Sequence, residues 1–152
     1  MPFYFAYGSN MDLNQLTERC PSAKFRHIAV VRGYQLSFTR FSQKRQCGVA
    51  DLVPDRGGEV WGAVFEMSEA DVVHLDRKEG VHLKPPAYQR ITVKTLCPSS
   101  NEWLDAFTYE VVAKAADHVR PNASYMSLIV AGALRWNLPQ QYIDKLKSVE
   151  VC

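Results

Sequence analysis

The stretch from residue 25 to residue 67 constrains this chain most. It reads as four strand-length runs, 25–32, 34–41, 46–53 and 59–67, rich in aromatic and β-branched residues, with no helical-period segment among them. Gly33 separates the first two runs, and Pro54-Asp55-Arg56-Gly57-Gly58 precedes the last, so turns are predicted at both places. Gly62 inside the fourth run marks a bulge or a close backbone approach. Residues 3–7 form a further buried strand, and 88–96 with 103–113 make a hairpin around Pro98-Ser99-Ser100-Asn101.

Helical patterns lie around these strands. A short helix follows Gly8-Ser9-Asn10, with Leu13, Leu16 and Cys20 on one side and Pro21-Ser22 at its end. Either Asn10 or Asp12 can cap it, and Asp12 has Gln15 at capping-box spacing. A second helix runs from Ser68 to Glu79 and stops at Gly80, the expected position past a helix end. His82 to Ala87, with Pro85-Pro86, reads as an irregular loop. Residues 122–136 and a segment from Pro139 to about Val149 are helical. Hairpin-linked strands with helices at the ends predict an α+β sheet or small barrel rather than a doubly wound parallel sheet. With 152 residues, no repeat and no linker, a single domain over 1–152 is expected.

Composition excludes several functions. Eighteen Lys and Arg against sixteen Asp and Glu leave a net charge of +2, too balanced to predict a nucleic-acid partner. The local cluster Arg40, Lys44, Arg45 reads as a solvated loop rather than a phosphate track. The four cysteines form no C-x-x-C pair and meet no His at zinc-site spacing, so no metal is expected, and Cys20 and Cys47 read as packed apolar groups. The longest apolar run, Leu128 to Leu134, is too short for a membrane span. The N-terminal residues lack a basic, cleavable leader pattern, so a cytoplasmic, reducing setting without a membrane partner is expected. Oligomeric state is not legible, and a monomer is the default.

Two features carry possible chemistry. Tyr7-Gly8-Ser9-Asn10 joins a buried strand to a helix start, and such a turn can aim backbone N–H groups at a carboxylate, phosphate or oxyanion. It can equally be a tight turn before a capped helix. It is neither a Rossmann nor a Walker loop, and no Lys or Arg follows it until Arg19. The second feature is Glu79. Val72, Leu75 and Glu79 are spaced i, i+3, i+7, which places this carboxylate on an apolar helix face at the negative end of the helix dipole. Both influences disfavour the anion and predict a raised pKa, suited to a general base near neutrality. The other reading is a frayed helix end with the side chain in water. Asp76 and Arg77 read as solvent pairs on other faces. Ser9 lacks a G-x-S-x-G elbow, which disfavours a serine nucleophile.

Taken in order along the chain, Tyr7-Gly8-Ser9-Asn10, Val60-Trp61-Gly62, Leu75-Asp76-x-x-Glu79-Gly80, Tyr88-x-Arg90, Tyr125 with Gly132-Ala133, and Leu138-Pro139 with Tyr142 and Leu146 resemble the γ-glutamylcyclotransferase (AIG2-like) family. The resemblance implies a small, partly closed β-barrel flanked by helices, with the active cavity at one barrel end. It implies cofactor-free cyclisation of a γ-glutamyl amino acid or amine to 5-oxoproline, with release of the amine. Glu79 matches the family's catalytic glutamate, and the backbone at Gly8, Ser9 and Asn10 would hold the glutamyl carboxylate or the oxyanion. Tyr7, Tyr88 and Tyr125 would line the pocket, although Tyr7 and Tyr125 can also be packing aromatics. The Glu79-to-Tyr88 interval, with Pro85-Pro86, is longer than usual for the family and can shape the leaving-amine pocket. Branches of the family act on γ-glutamyl amino acids, γ-glutamyl amines, glutathione and protected intermediates. Modest charge at the presumed mouth argues against a strongly acidic substrate. The competing classes are a non-catalytic γ-glutamyl or small-carboxylate binding module and a phosphate-ligand binder.

Overall fold

The computed structural model describes residues 1–152. In chain order it contains β1 (Phe3–Ala6), a short 3-10 turn (Ser9–Met11), α1 (Leu13–Arg19), β2 (Lys24–Ser42), β3 (Cys47–Glu66), α2 (Glu69–Lys78), β4 (Tyr88–Cys97), β5 (Glu102–Val111), α3 (Ala123–Arg135) and α4 (Gln140–Lys147). The five strands close into a barrel in the order β1-β3-β2-β4-β5, so the expected α+β barrel with flanking helices is the observed architecture.

Two antiparallel hairpins supply most of the wall. β2 and β3 pair from Lys24↔Glu66 to Ser42↔Cys47, and β4 and β5 pair from Tyr88↔Val111 to Cys97↔Glu102. β1 lies antiparallel to β3, from Phe3↔Glu66 to Ala6↔Ala63. The remaining seams are thin: β1 meets β5 in parallel at Tyr4↔Phe107, and β2 meets β4 at Val30↔Leu96.

The two turns expected at Gly33 and at residues 54–58 are absent, and the four expected runs are two long strands. Gly33, at φ 89°, and the four residues Asp55–Gly58 face one another across a register shift between Arg32↔Glu59 and Tyr34↔Pro54. Turn-forming residues here make a bulge that bends a two-stranded ribbon without reversing it. The reversal itself occurs at residues 43–46.

Helix ends follow the capping chemistry of their sequences. Asp12, not Asn10, caps α1 by accepting from the Gln15 N–H at 3.0 Å. Ser68 caps α2 through the Asp71 N–H at 3.2 Å, and Gly80, at φ 72°, ends it one residue past Glu79. Asn122 caps α3 through the Tyr125 N–H at 2.8 Å. No helix is long and apolar enough to cross a membrane.

One apolar cluster of 32 buried residues joins barrel interior and helices, with Phe5, Phe65, Leu52 and Ile129 fully enclosed. Two glycines let the backbone approach closely where the site is built. A Cβ on Gly62 would stand 2.3 Å from the Ala6 carbonyl oxygen, so β1 can lie against β3 only because this residue is glycine. A Cβ on Gly132 would stand 2.4 Å from the Met11 Cβ, and the Trp136 indole N–H donates to the Met11 carbonyl at 2.9 Å. α3 thus clamps the turn that follows β1. Beyond β5, residues 112–121 run back along the outer half of the β2/β3 ribbon, held by Ala115 N–H to Thr39 O at 2.7 Å and Gly48 N–H to Arg120 O at 2.9 Å.

Candidate active site

A cavity of about 300 Å³ opens where β1 runs into the 3-10 turn and α2 ends, at the small end of the range for ligand pockets. Tyr7, Gly8, Ser9, Asn10, Glu79, Tyr88 and Tyr125 all line it, so the fold gathers every residue singled out in the sequence. Glu79 is half-buried and opens to the cavity rather than fraying into solvent. Its Oε1 accepts a hydrogen bond from Asn10 Nδ2 at 3.2 Å, and no cation forms an ion pair with it. Burial raises its pKa above the usual glutamate value. The charge of Arg19, the Asn10 hydrogen bond and the charge of Arg45 oppose the rise, and Asp76 adds to it.

Asn10 fixes the polar side of the cavity. Its Nδ2 also donates to the Tyr4 hydroxyl at 3.0 Å, and its Oδ1 accepts from Gln15 Nε2 at 2.9 Å and Arg19 Nη1 at 3.0 Å. Gln15 and Arg19 are one helical turn apart on α1, so a single helix face supplies both donors. Gln15 Nε2 donates further to Ser9 Oγ at 2.8 Å, and its Oε1 accepts from Arg45 at 2.8 Å. The Arg45 guanidinium lies 4.9 Å from the Tyr125 ring centroid. The Gly8 N–H has no protein partner and belongs to the cavity wall.

The opposite side is a ledge at Ala50. Its N–H donates to the Tyr125 hydroxyl at 3.0 Å, and its carbonyl accepts from the Tyr88 hydroxyl at 2.7 Å. Beside it, Asp51 is wholly enclosed and takes Thr39 Oγ1 at 2.7 Å, the Val111 N–H at 2.8 Å and Lys114 Nζ at 2.9 Å. Desolvation raises the pKa values of Tyr7 and Tyr88 and pushes Tyr125 up to about 12, so these hydroxyls stay protonated at neutral pH. Tyr7 is both core aromatic and cavity wall, because its hydroxyl donates across the barrel to the Tyr109 carbonyl at 2.7 Å.

Residues 59–146 match the AIG2-like family. A γ-glutamylcyclotransferase of Mus musculus is 33% identical over 97% of this chain and 78% of its own length. That of Homo sapiens is 32% identical over the same shares. The chain belongs to the γ-glutamylcyclotransferase family. A solved structure of a γ-glutamyl cyclotransferase superposes with a TM-score of 0.92 at 31% identity, covering 99% of this chain and 89% of the other. The matched AIG2-like segment contains Glu79, Tyr88 and Tyr125 of this cyclotransferase-type chain, whereas the Tyr7–Asn10 turn precedes it.

Two expectations about charge need correction in this family member. Asp76 is not a solvent partner of Arg77: it accepts from the Tyr109 hydroxyl at 2.6 Å and pairs with Arg90 at 3.5 Å. The mouth is not modestly charged. Arg19, Arg40, Lys44, Arg45 and Lys78 all reach the cavity wall, and Arg45 is tied into the site rather than loose in a loop. The reversal at 43–46 and the end of α2 bring these cations together from segments far apart in sequence. Sequence reasoning also missed Tyr4, Gln15, Tyr109 and Asp51. The i, i+4 spacing of Gln15 and Arg19 beside the glycine turn was the available signal for that pair. No local pattern marks Asp51, whose partners come from three separate segments.

Proposed function

We propose that this protein converts a γ-glutamyl amino acid or γ-glutamyl amine to 5-oxoproline and the free amine, without a cofactor, with Glu79 as general acid and base. The observation that carries this reading is a half-buried carboxylate with a raised pKa, held by one hydrogen bond and open to a cavity small enough for such a substrate. In this account the Glu79 carboxylate takes a proton from the substrate's α-ammonium. The freed amine attacks the γ-carbonyl carbon and closes a five-membered ring. Glu79 then gives the proton to the departing nitrogen as the C–N bond breaks, and the second proton that the ring nitrogen loses on becoming the lactam N–H ends on the released amine, which leaves as an ammonium.

Ring closure within one molecule already places nucleophile and electrophile together, so the protein has to supply a base, an anchor and oxyanion stabilisation. The unpartnered Gly8 N–H, at the turn with Ser9 and Asn10, supports a role in holding the glutamyl carboxylate or the developing oxyanion. Tyr7 shapes the wall. Tyr88 and Tyr125 fix the Ala50 ledge against which the glutamyl portion packs.

The test is to incubate the purified protein with γ-glutamyl amino acids, γ-glutamyl-ε-lysine and glutathione, and to measure 5-oxoproline by mass spectrometry, with Glu79→Gln alongside. Product from the parent and none from the variant is expected, and the preferred compound identifies the branch. A folded protein that binds these compounds and converts none would make it a binding module instead.

A further inference from the structure

The basic wall of the cavity is larger than a singly charged leaving group requires. Five cations, Arg19, Arg40, Lys44, Arg45 and Lys78, line the cavity, and Glu79 is the only carboxylate among its lining residues. None of the five takes part in any of the seven ion pairs in the structure. Elsewhere on the chain, Arg26, Arg90, Lys94, Lys114 and Arg120 each sit against a carboxylate. Arg19 and Arg45 hydrogen-bond to the neutral amides of Asn10 and Gln15, and the one carboxylate their charge meets inside the cavity is Glu79.

A second depression adjoins the first and shares Arg19, Lys44, Arg45, Lys78 and Tyr125 with it. The four shared cations therefore stand at the passage between the two spaces, facing only Glu18 on the outer side. Glu79 and the Gly8 turn lie in the inner space and not in the outer one. If the glutamyl portion sits beside Glu79, as the cyclisation reading requires, this passage is the cation-lined opening through which the amine can depart.

Resting on the cyclisation reading above, we infer that the leaving group is an amino acid carrying a second carboxylate, and that Lys44 and Lys78 at this passage set the preference. A substrate with an acidic leaving amino acid brings one more negative charge to the wall than its neutral isostere. Unpaired cations at a partly enclosed mouth favour it through both encounter and binding. Lys44 and Lys78 are exposed at the rim and hold no fold-determining contact, so they act on substrate choice rather than on the proton transfer.

The experiment compares kcat/KM for γ-glutamyl-glutamate with that for γ-glutamyl-glutamine, which has the same shape without the second charge. The intact protein should favour the glutamate compound by about fivefold at low ionic strength. The ratio should fall as salt is raised from about 0.05 M to about 0.5 M, because screening shortens the reach of exposed charges. In Lys44→Gln/Lys78→Gln the ratio should fall toward one. Equal turnover of the two compounds by the intact protein, or a preference that neither salt nor the double variant changes, overturns the inference and leaves the cyclisation reading standing. If neither compound nor any other γ-glutamyl compound yields 5-oxoproline, the cyclisation reading itself fails and this inference with it.

Discussion

Glu79 and Asp51 are carboxylates on opposite sides of one barrel end, and the protein treats them differently. Asp51 is wholly enclosed, accepts from a hydroxyl, a backbone N–H and an ammonium, and holds its segment in a single arrangement. Glu79 faces a cavity with one amide hydrogen bond and no ion pair. A fully satisfied buried charge fixes geometry, whereas an under-satisfied one keeps an affinity for a proton. The Ala50 ledge thus adjoins a saturated carboxylate, and on the proposed reading the proton chemistry falls to Glu79 across from it, which is not saturated.

The largest effect should come from the reactive side. Glu79→Gln keeps the shape and the Asn10 contact but cannot take up a proton, so kcat/KM for 5-oxoproline release should fall by about a thousandfold or more. Circular dichroism should show an unchanged fold. On the structural side, Lys114→Met leaves Asp51 without its ammonium partner and should destabilise the protein by about 2–3 kcal/mol in chemical denaturation. If Lys114→Met left stability untouched, the contrast between the two carboxylates would collapse. Tyr88→Phe removes one hydrogen bond to the ledge and should cost about 1 kcal/mol of stability. Its KM should rise more than its kcat falls if, as proposed, the ledge positions substrate and takes no part in proton transfer.

The smallest effect has a distinctive sign. The native state raises the Glu79 pKa above its unfolded value, so its contribution to stability is present at low pH and lost as pH rises through the folded pKa. Removing the charge should therefore make Glu79→Gln slightly more stable than the parent at pH 8. The gain should vanish below about pH 4, where the parent is protonated in both states. Thermal melts at the two pH values distinguish this from a general stabilisation.

Much of this arrangement was legible in the sequence, for identifiable reasons. Local chemistry specified the α2 cap at Ser68 and the stop at Gly80, and it left two choices that the structure decides: Asp12 rather than Asn10 caps α1, and Gly62 permits a close approach. Glu79 was legible because apolar spacing and helix position both act within one helix. Pro54–Gly58 misled because turn-forming residues also suit a bulge, and only the pairing partner decides which they make. The basic mouth was hidden because Arg19, Arg40, Lys44, Arg45 and Lys78 come from different elements, and only the closed barrel brings them to one place. Asp51 and Lys114 are 63 residues apart and meet only because residues 112–121 double back along the ribbon.

The most direct test of the central claim is the pH dependence of kcat/KM for a γ-glutamyl substrate, measured on the parent and on Asn10→Ala. Loss of catalytic base on acidification should give a falling acid limb whose midpoint lies above the ordinary glutamate value of 4.5. Because the Asn10 hydrogen bond favours the charged carboxylate, its removal should move that midpoint to higher pH. A rate that stays flat down to the pH of acid unfolding, or a limb that Asn10→Ala leaves in place, would contradict the assignment of Glu79 as the group that carries the proton.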